Sequence, residues 1–224
     1  MKYKRIASSI LIASAAALIA TTAQAQVTQY TSLAAYLANV SNAATDTYTG
    51  FSITGPTASP ITRTVGPYSY SAAVPGNFYG GGTTGNPFLS TNIATDLMTF
   101  SGFTGGVRGI GGNFFGSDVA GVFLLGNVVI SWTEVGGATG SITLTNAAQN
   151  GFFGVVSAGG GFTDFKVATI QPQGAYVWAA VDNLVLGAAG SPSSTVPEPQ
   201  SYALMTVGLL AVGAMARRKR LQNR

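Results

Sequence analysis

The chain contains no cysteine and no histidine, and only 8% of its residues are charged. Without cysteine no disulfide can cross-link the fold, so stability must come from packing and from hydrogen bonds between strands. The absence of both residue types excludes Cys-His and Ser-His-Asp catalysis, the imidazole base of most hydrolases, and the usual zinc and copper sites. We therefore expect that the protein is not an enzyme.

Basic residues are scarce outside the two ends of the chain. The central part, between residues 26 and 196, has three cations, which are Arg63, Arg108 and Lys166. Six carboxylates oppose them, so this part carries a net charge of minus three although the whole chain is at +4. Nucleic-acid binding requires clustered Lys and Arg side chains that displace counterions from phosphates. We exclude nucleic acid as a partner.

The carboxylates are numerous enough to raise the question of a glycosidase-type acid and base pair. The four candidates are Asp118, Glu134, Asp164 and Asp182. No repeated acidic motif places two of them on one strand face, and Glu134 lies at a predicted strand end, where we expect a solvated charge. We assign no catalytic residue.

Residues 1–25 have the three parts of a secretory signal peptide. The positive n-region contains Lys2, Lys4 and Arg5. An uncharged apolar h-region follows, and the small residues Ala23 and Ala25 fit the pockets of signal peptidase. Signal peptidase is therefore an expected partner, and the mature chain should begin at Gln26. The alternative is an uncleaved N-terminal anchor.

Residues 26–190 are predicted to form one domain of mainly β structure, because Gly, Thr, Ser, Val and Phe dominate while Glu, Lys and Arg are scarce. One segment favours a helix instead. Ser32–Asn39 has a serine cap followed by Leu33, Tyr36 and Leu37 at helical spacing. We expect this short helix to cap one end of the sheet core.

The second half of the domain shows regular strand patterns. Strands are predicted at residues 127–134, 141–145, 151–156, 163–167 and 176–186. The first two are separated by Gly136-Gly137 and should form an antiparallel hairpin. The last is apolar on both faces, which is typical of a central strand.

The first half is less regular. Strands are predicted around residues 46–53, 62–72 and 97–103, and the Gly-rich stretch 76–87 is predicted to be a long loop. Strands at this spacing, linked by Gly-rich turns, favour an antiparallel two-sheet sandwich of jelly-roll type. An open barrel is the structural alternative.

After a polar linker at residues 191–195, the C-terminal end combines three elements. A Pro-Glu-Pro triplet is followed by an uncharged apolar run, Ser201–Ala216, and then by a basic cluster. The run would form a helix of about 24 Å, and snorkelling basic side chains would let it span a bilayer core of about 30 Å. The cluster consists of Arg217, Arg218, Lys219 and Arg220. By the positive-inside rule, the domain would face away from the cytoplasm.

This end, which begins at Val196 and contains the triplet Pro197, Glu198 and Pro199, resembles the PEP-CTERM sorting signal of Gram-negative bacteria that make extracellular polysaccharide. The resemblance implies recognition by an exosortase, a membrane-embedded transpeptidase-like enzyme that removes the tail near the triplet. It also implies an inner-membrane intermediate, followed by the cell surface or the extracellular matrix. The alternative is an ordinary single-pass anchor.

The domain itself is similar to the β-rich domains often found ahead of this signal. The segments that carry the similarity are 111–118, 151–155 and 181–187. The resemblance supports the sandwich fold and implies no activity.

Asp118 and Asp182 lie among apolar neighbours, where an unpaired carboxylate is costly. Asp182 is expected to share a strand face with Trp178 and Leu184. One interpretation is that a carboxylate, together with Asn183 and backbone carbonyls, binds Ca²⁺. The other is structural: Asp118 ends a turn, and Asp182 accepts hydrogen bonds at a bulge.

Aromatic residues near the Gly-rich stretch supply a binding hypothesis. Tyr68, Tyr70, Phe78 and Tyr79 could stack on sugar rings, although aromatic residues are also ordinary core material. We expect a surface or matrix protein that contacts exopolysaccharide. The alternatives are a structural module that associates with itself through sheet edges and a membrane-anchored, Ca²⁺-dependent carbohydrate-binding module.

Overall fold

The computed structural model describes residues 27–190. The predicted signal peptide, the linker and the whole C-terminal sorting segment lie outside these residues, as do the two terminal helices expected there. Contacts divide the chain into two compact units, Met1–Ala189 and Gly190–Arg224. Apart from Gly190, the described residues belong to the first unit.

The described part is almost entirely β structure. In chain order its elements are β1 (Val27–Tyr30), α1 (Leu33–Leu37), β2 (Val40–Asp46), β3 (Pro56–Ala58), β4 (Ile61–Val65), β5 (Tyr68–Ala73), β6 (Asn77–Thr83), β7 (Asn86–Thr91), β8 (Met98–Ser101), β9 (Gly109–Ser117), β10 (Phe123–Leu124), β11 (Gly126–Glu134), β12 (Thr139–Ala147), β13 (Phe152–Ser157), β14 (Phe162–Ile170) and β15 (Trp178–Ala189).

The strands form two antiparallel sheets. The nine-stranded sheet has the order β1-β13-β9-β15-β7-β6-β3, with β10 beside β9 and β2 beside β15. The six-stranded sheet has the order β12-β11-β14-β8-β5-β4. The predicted antiparallel two-sheet architecture is confirmed, and the finer jelly-roll assignment stays a prediction.

The main core lies between the two sheets and is rich in aromatic rings. Phe165 of the six-stranded sheet packs against Phe114 of the nine-stranded sheet, with ring centroids 5.4 Å apart. Within the six-stranded sheet, Phe100 continues the stack to Phe165 at 6.4 Å and to Tyr70 at 5.8 Å. Each of these rings is at most 1% exposed. Aromatic pairs at such separations stabilise the folded state beyond the contribution of their burial. In a chain without cysteine, this packing holds the two sheets together without disulfides.

The predicted strands of the second half are confirmed. β11 and β12 form the expected hairpin, in which Ile130 is paired with Ile142. β15 is central in its sheet, with β9 on one side and β7 and β2 along the other. Its residues alternate between the main core and two smaller apolar clusters on the outer face of the nine-stranded sheet.

The short helix is confirmed, but its position differs from the expected one. The Ser32 hydroxyl accepts a hydrogen bond from the Ala35 N–H at 3.3 Å, and Tyr36 is the one buried residue of α1. The Tyr36 hydroxyl donates to the Val185 carbonyl at 3.2 Å. Because Leu33 and Leu37 are exposed, the helix contributes a single ring to a cluster on the outer face of the sheet. It covers that face and does not cap an end of the sandwich.

The strand predicted at residues 46–53 is wrong. β2 ends at Asp46, whose Oδ1 accepts a hydrogen bond from the Tyr48 N–H at 2.9 Å. Tyr48 has φ +52 and Gly50 has φ +80, values that turn the chain away from the sheet. The side-chain acceptor of Asp46 therefore overrides the β propensity of the residues that follow it.

The long loop predicted at residues 76–87 is also wrong. These residues form most of the β6–β7 hairpin, with only Thr84 and Gly85 at the turn. A Cβ atom on Gly80 would lie 2.3 Å from the Ser52 carbonyl oxygen, and one on Gly81 would lie 2.3 Å from the Phe88 ring. Glycine occurs here because other groups approach the strand closely. Composition alone does not distinguish such a strand from a glycine-rich loop.

The other two predictions for the first half are closer to the structure. The segment 62–72, predicted as one strand, is extended on both sides of a turn at Gly66-Pro67, so that it forms two strands, β4 and β5, paired as a hairpin. The strand predicted at 97–103 corresponds to β8.

Asp46 is also the centre of a largely buried polar cluster. It accepts hydrogen bonds from Arg63 Nε at 2.7 Å and from the Tyr70 hydroxyl at 2.8 Å, in addition to the Tyr48 N–H. The Arg63 guanidinium lies over the Tyr48 ring, 5.2 Å from its centroid. Burial alone raises the pKa of Asp46, but the hydrogen bonds from Arg63, Tyr48 and Tyr70 outweigh it and leave the pKa below its ordinary value. The cluster joins the end of β2 to the six-stranded sheet.

We expect Asp46→Asn to lower the free energy of unfolding by about 2 kcal/mol at neutral pH, between the values for exposed and buried ion pairs. Because the folded pKa of Asp46 lies below the unfolded value of about 3.9, its stabilisation is present above that pH and is lost as the pH falls through the folded pKa. Urea denaturation at several pH values should therefore show the two proteins converging below about pH 4.

The matched control is Asp164→Asn, which removes a more exposed ion pair with Lys166 on β14 of the six-stranded sheet. We expect Asp164→Asn to lower the free energy of unfolding by about 0.5 kcal/mol. Equal losses for the two variants would contradict a special role of the Asp46 cluster.

Candidate functional site

A groove of about 220 Å³ lies on the outer face of the nine-stranded sheet, across strands β6, β7, β15 and β9. Its floor contains Ser90 and Ser117, and its walls contain Tyr79, Trp178 and the turn at Asp118–Gly121. Aromatic walls over a hydroxyl floor give this site both apolar and hydrogen-bonding surface.

Strand register brings the floor together. Ser90 pairs with Tyr79 on one side and with Ala180 on the other, and Ser117 pairs with Trp178. Paired residues of antiparallel strands project from the same face, so these side chains all lie on the outer face. The two serine hydroxyls are 3.2 Å apart, and Ser90 Oγ also donates to the Ala179 carbonyl at 3.0 Å. The floor is therefore polar, buried and fixed by its own hydrogen bonds.

The two aromatic walls are held on different strands. Trp178 is half-buried, and its Nε1 donates to the Asn92 carbonyl at 3.3 Å. The exposed Tyr176 ring packs against the indole with centroids 6.2 Å apart. Tyr79, also half-buried, lies on β6, two strand spacings from β15. That separation is about 10 Å, so the two walls leave room for a ligand between them.

The third wall is a turn organised by Asp118. Its Oδ1 accepts hydrogen bonds from the N–H groups of Ala120 and Val122, both at 2.9 Å. The Gly121 carbonyl accepts the Gly82 N–H at 2.8 Å, which ties the turn to β6. Asp118 therefore begins a turn, whereas the structural interpretation expected it to end one, and the turn serves as a rim of the groove.

The groove has no nearby positive charge from the described residues. Arg63 is paired with Asp46, and Lys166 is paired with Asp164 in the other sheet. Arg108 precedes β9, nine residues before Ser117, which corresponds to about 30 Å along an extended strand. Because Asp118 is the one charged residue among residues 27–190 that lines the groove, these residues offer an anionic ligand no counter-charge there.

Of the four aromatic residues predicted to contact a glycan, only Tyr79 lines the groove. Tyr68, Tyr70 and Phe78 are at most 1% exposed and belong to the main core. The Tyr68 hydroxyl donates to the Asn42 carbonyl at 3.0 Å, which fixes the ring inside the fold. These positions correct the expectation for three of the four, since a fully buried ring cannot stack on a ligand.

The candidate Ca²⁺ ligands do not come together. Asp182 pairs with Asn113 on β9, five residues before Asp118, which places the two carboxylates about 16 Å apart along the strand. Within residues 27–190, no group of three or more acidic side chains is arranged to hold a metal ion.

Asp182 and Asn183 instead occupy a bulge. The strand register shifts between Asp182 and Val185, and Asn183 has φ +48. Asp182 Oδ1 accepts the Asn183 N–H at 2.7 Å, as expected for a carboxylate at a bulge, and burial raises the pKa of Asp182. The bulge turns Leu184 into the main core, whereas Asp182 stays on the outer-face side of the strand with Trp178. The expectation that Asp182 and Leu184 share a face is therefore wrong.

Glu134 also differs from expectation. It is 3% exposed, and its Oε2 accepts a hydrogen bond from the Ser157 hydroxyl at 2.5 Å. The strand end is covered by the β13–β14 connection, because the Val135 N–H donates to the Gly161 carbonyl at 3.0 Å. The Glu134 side chain, which we expect to be solvated, is instead buried and hydrogen-bonded.

Sequence reasoning missed Trp178, Ser90 and Ser117 as site residues. The sequence predicts Trp178 only as part of a central strand. The positions of the two serines depend on pairing between strands that are distant in sequence. A local signal is the stretch Tyr176-Val177-Trp178, in which one large aromatic residue lies two positions before another, at the point where an otherwise aliphatic strand begins.

Comparison with known proteins identifies the C-terminal end. A family model described as the PEP-CTERM protein-sorting motif matches residues 195–220. The chain carries a PEP-CTERM sorting motif. The motif implies an exported protein that transits the membrane and is processed by an exosortase. No curated protein and no solved structure matches the chain. Between residues 27 and 190 there is no helix with the length and apolar character that a membrane span needs.

We expect Asp118→Ala to loosen the rim of the groove, because the N–H groups of Ala120 and Val122 lose their acceptor. The free energy that holds this turn closed should fall by about 1 kcal/mol. Hydrogen exchange, measured by NMR, should become faster at these two amides. Asp118→Asn keeps an oxygen at this position and should leave the exchange rates close to those of the unaltered protein. Unchanged exchange in Asp118→Ala would show that the turn is held by other contacts.

Proposed function

We propose that this exosortase-processed protein is a cell-surface or matrix protein whose outer-face groove contacts exopolysaccharide. The observation that carries the proposal is the arrangement of Trp178 and Tyr79 around a floor of buried serine hydroxyls. Sugar rings have apolar C–H faces and hydroxyl edges. Aromatic walls suit the faces, and hydroxyl groups and backbone carbonyls suit the edges.

The groove supports binding without large rearrangement. Trp178 is anchored by its hydrogen bond to Asn92 and by the Tyr176 ring, and the Asp118 turn is tied to β6. Side chains that are already ordered lose little conformational entropy when a ligand arrives. A single groove of this kind suits one or two sugar units of a long polymer.

The charge distribution favours a neutral glycan. A polymer of uronic acids or sulfated sugars would need cations, and the described residues near the groove supply none. A neutral polymer binds through stacking and hydrogen bonds, which are only weakly affected by salt. Calcium-dependent binding, by contrast, needs a set of oxygen ligands, and Asp118 and Asp182 are too far apart to form one.

We expect neutral oligosaccharides on a glycan array to bind the exported protein and uronic-acid oligosaccharides to leave it unbound. The chain has two tryptophans, of which Trp132 is 5% exposed, so a change in tryptophan fluorescence on titration would report mainly on Trp178. Trp178→Ala should weaken binding about tenfold, the equivalent of one aromatic contact.

Tyr30→Ala is the matched control, because Tyr30 is a half-buried tyrosine in the cluster around Tyr36 on the same sheet, away from the groove. It should bind as the unaltered protein does. Equal affinity in Trp178→Ala and the unaltered protein, or binding that disappears with a calcium chelator, would count against the proposed site.

The sorting step makes a separate prediction. In cells that contain the exosortase, intact mass should show a mature protein that begins at Gln26 and lacks residues beyond the Pro-Glu-Pro triplet. In cells without the exosortase, the mass should retain the C-terminal segment. Replacing Glu198 by Ala should have the same effect, whereas Gln200→Ala serves as a neighbouring control. A mass that is unchanged by loss of the exosortase would show that the segment is an ordinary anchor.

A further inference from the structure

The outer edge of the six-stranded sheet is formed by β12, a strand of nine residues with the sequence TGSITLTNA. Among residues 27–190, β12 pairs with β11 on one side and has no strand on the other. The strand contains no charge and no proline. Its outward-facing Ser141, Thr143 and Thr145 are exposed, and the side chains of Ile142 and Leu144 are only half-buried.

The other terminal strands of the two sheets are protected against pairing with another chain. β4 carries Arg63 and lies between Pro60 and Pro67. β1 has four residues, β10 has two, and β3 has three and begins with Pro56. β2, which pairs only with β15 among the described strands, is bent at Asn42, where φ is +52, and ends on the charged Asp46. Short length, charge and proline are the usual means of blocking an edge. β12 uses none of them, so it is the edge best suited to accept another strand.

We propose that β12 pairs with β12 of a second copy of this chain, in antiparallel register about a two-fold axis at Thr143. The pairing is self-complementary, as a two-fold interface requires. Ser141 then faces Thr145 of the second copy on the polar side, and Ile142 faces its Leu144 on the apolar side. A charge at Thr143 would lie directly opposite its own copy, a repulsion that the uncharged sequence avoids.

Two features favour a strand as the occupant. Half of the backbone N–H and C=O groups of an edge strand point away from its neighbour, and a second strand satisfies them in a regular ladder. Ile142 and Leu144 pack against the core but stay partly exposed, whereas Phe165 and Val167, which have neighbours on both sides, are fully buried. A strand beside β12 would complete the burial of the two aliphatic side chains. The surface is distinct from the groove, so the inference does not depend on glycan binding.

A single strand pair buries a modest area, so the dimer should be weak and covalent trapping is the suitable measurement. The chain has no cysteine, so each introduced cysteine is the only thiol. Residues paired across antiparallel strands have Cα atoms about 4.5–5.5 Å apart, within the range of a disulfide. Mild oxidation of the exported Thr143→Cys protein should therefore give a disulfide-linked dimer.

The matched control is Thr62→Cys, an exposed threonine on the opposite edge strand of the same sheet. We expect roughly tenfold more dimer from Thr143→Cys than from Thr62→Cys.

A mixture of Ser141→Cys and Thr145→Cys should form mixed dimers. Neither variant should form dimers alone, because the two copies of its cysteine would lie about 13 Å apart along the strand. Thr143→Lys should weaken self-association roughly tenfold in sedimentation, and Thr62→Lys should not.

Dimer yields from Thr143→Cys that do not exceed those from Thr62→Cys would overturn the proposal. The proposal would also be overturned if Thr143→Cys formed more cross-links with Thr62→Cys than with itself. That result would indicate head-to-tail pairing of two different edges.

Discussion

The structure depends on burying both faces of β15. The strand is central in the nine-stranded sheet and is apolar along both sides, so the sandwich interior covers only half of it. On the outer face, α1 places Tyr36 near Val185 at one end, and Phe88, Phe115 and Phe123 cover Ala180 further along. The groove begins where this cover stops, at Trp178. The candidate site is therefore the part of the outer face that the fold leaves open.

Glycine makes the cover possible. The turn after Asp118 crosses the outer face directly above β6, where Gly121 and Gly81 approach so closely that a Cβ atom on either one would clash. On the inner side, the chain near Ser52 passes over Gly80 in the same way. These contacts occur between backbones, so any side chain would separate the layers. The glycine-rich composition reflects close packing of backbone as much as turns.

The sequence was sufficient to predict elements whose signal is local. The β11–β12 hairpin, the central strand β15 and the serine cap of α1 follow from alternation, apolar runs and a side-chain acceptor. It was insufficient where one residue type serves two purposes. Gly80 and Gly81 lie in a strand although they resemble a loop, and Tyr68 is core although it resembles a binding ring. The groove combines residues from four strands, so its composition depends on register, which a single sequence does not reveal.

Charge is distributed unevenly along the chain. The basic residues that give the chain its overall positive charge are concentrated in the N-terminal segment and in the end that contains the sorting motif. Within the described part, two of the three cations are held in ion pairs, and the exposed face of β12 is lined by serine and threonine. With a net charge of minus three and no cluster of cations, the described part has nothing that would attract an anionic polymer at long range. The contacts that we propose are accordingly short-range ones, made by stacking, by hydroxyl groups and by an open strand edge.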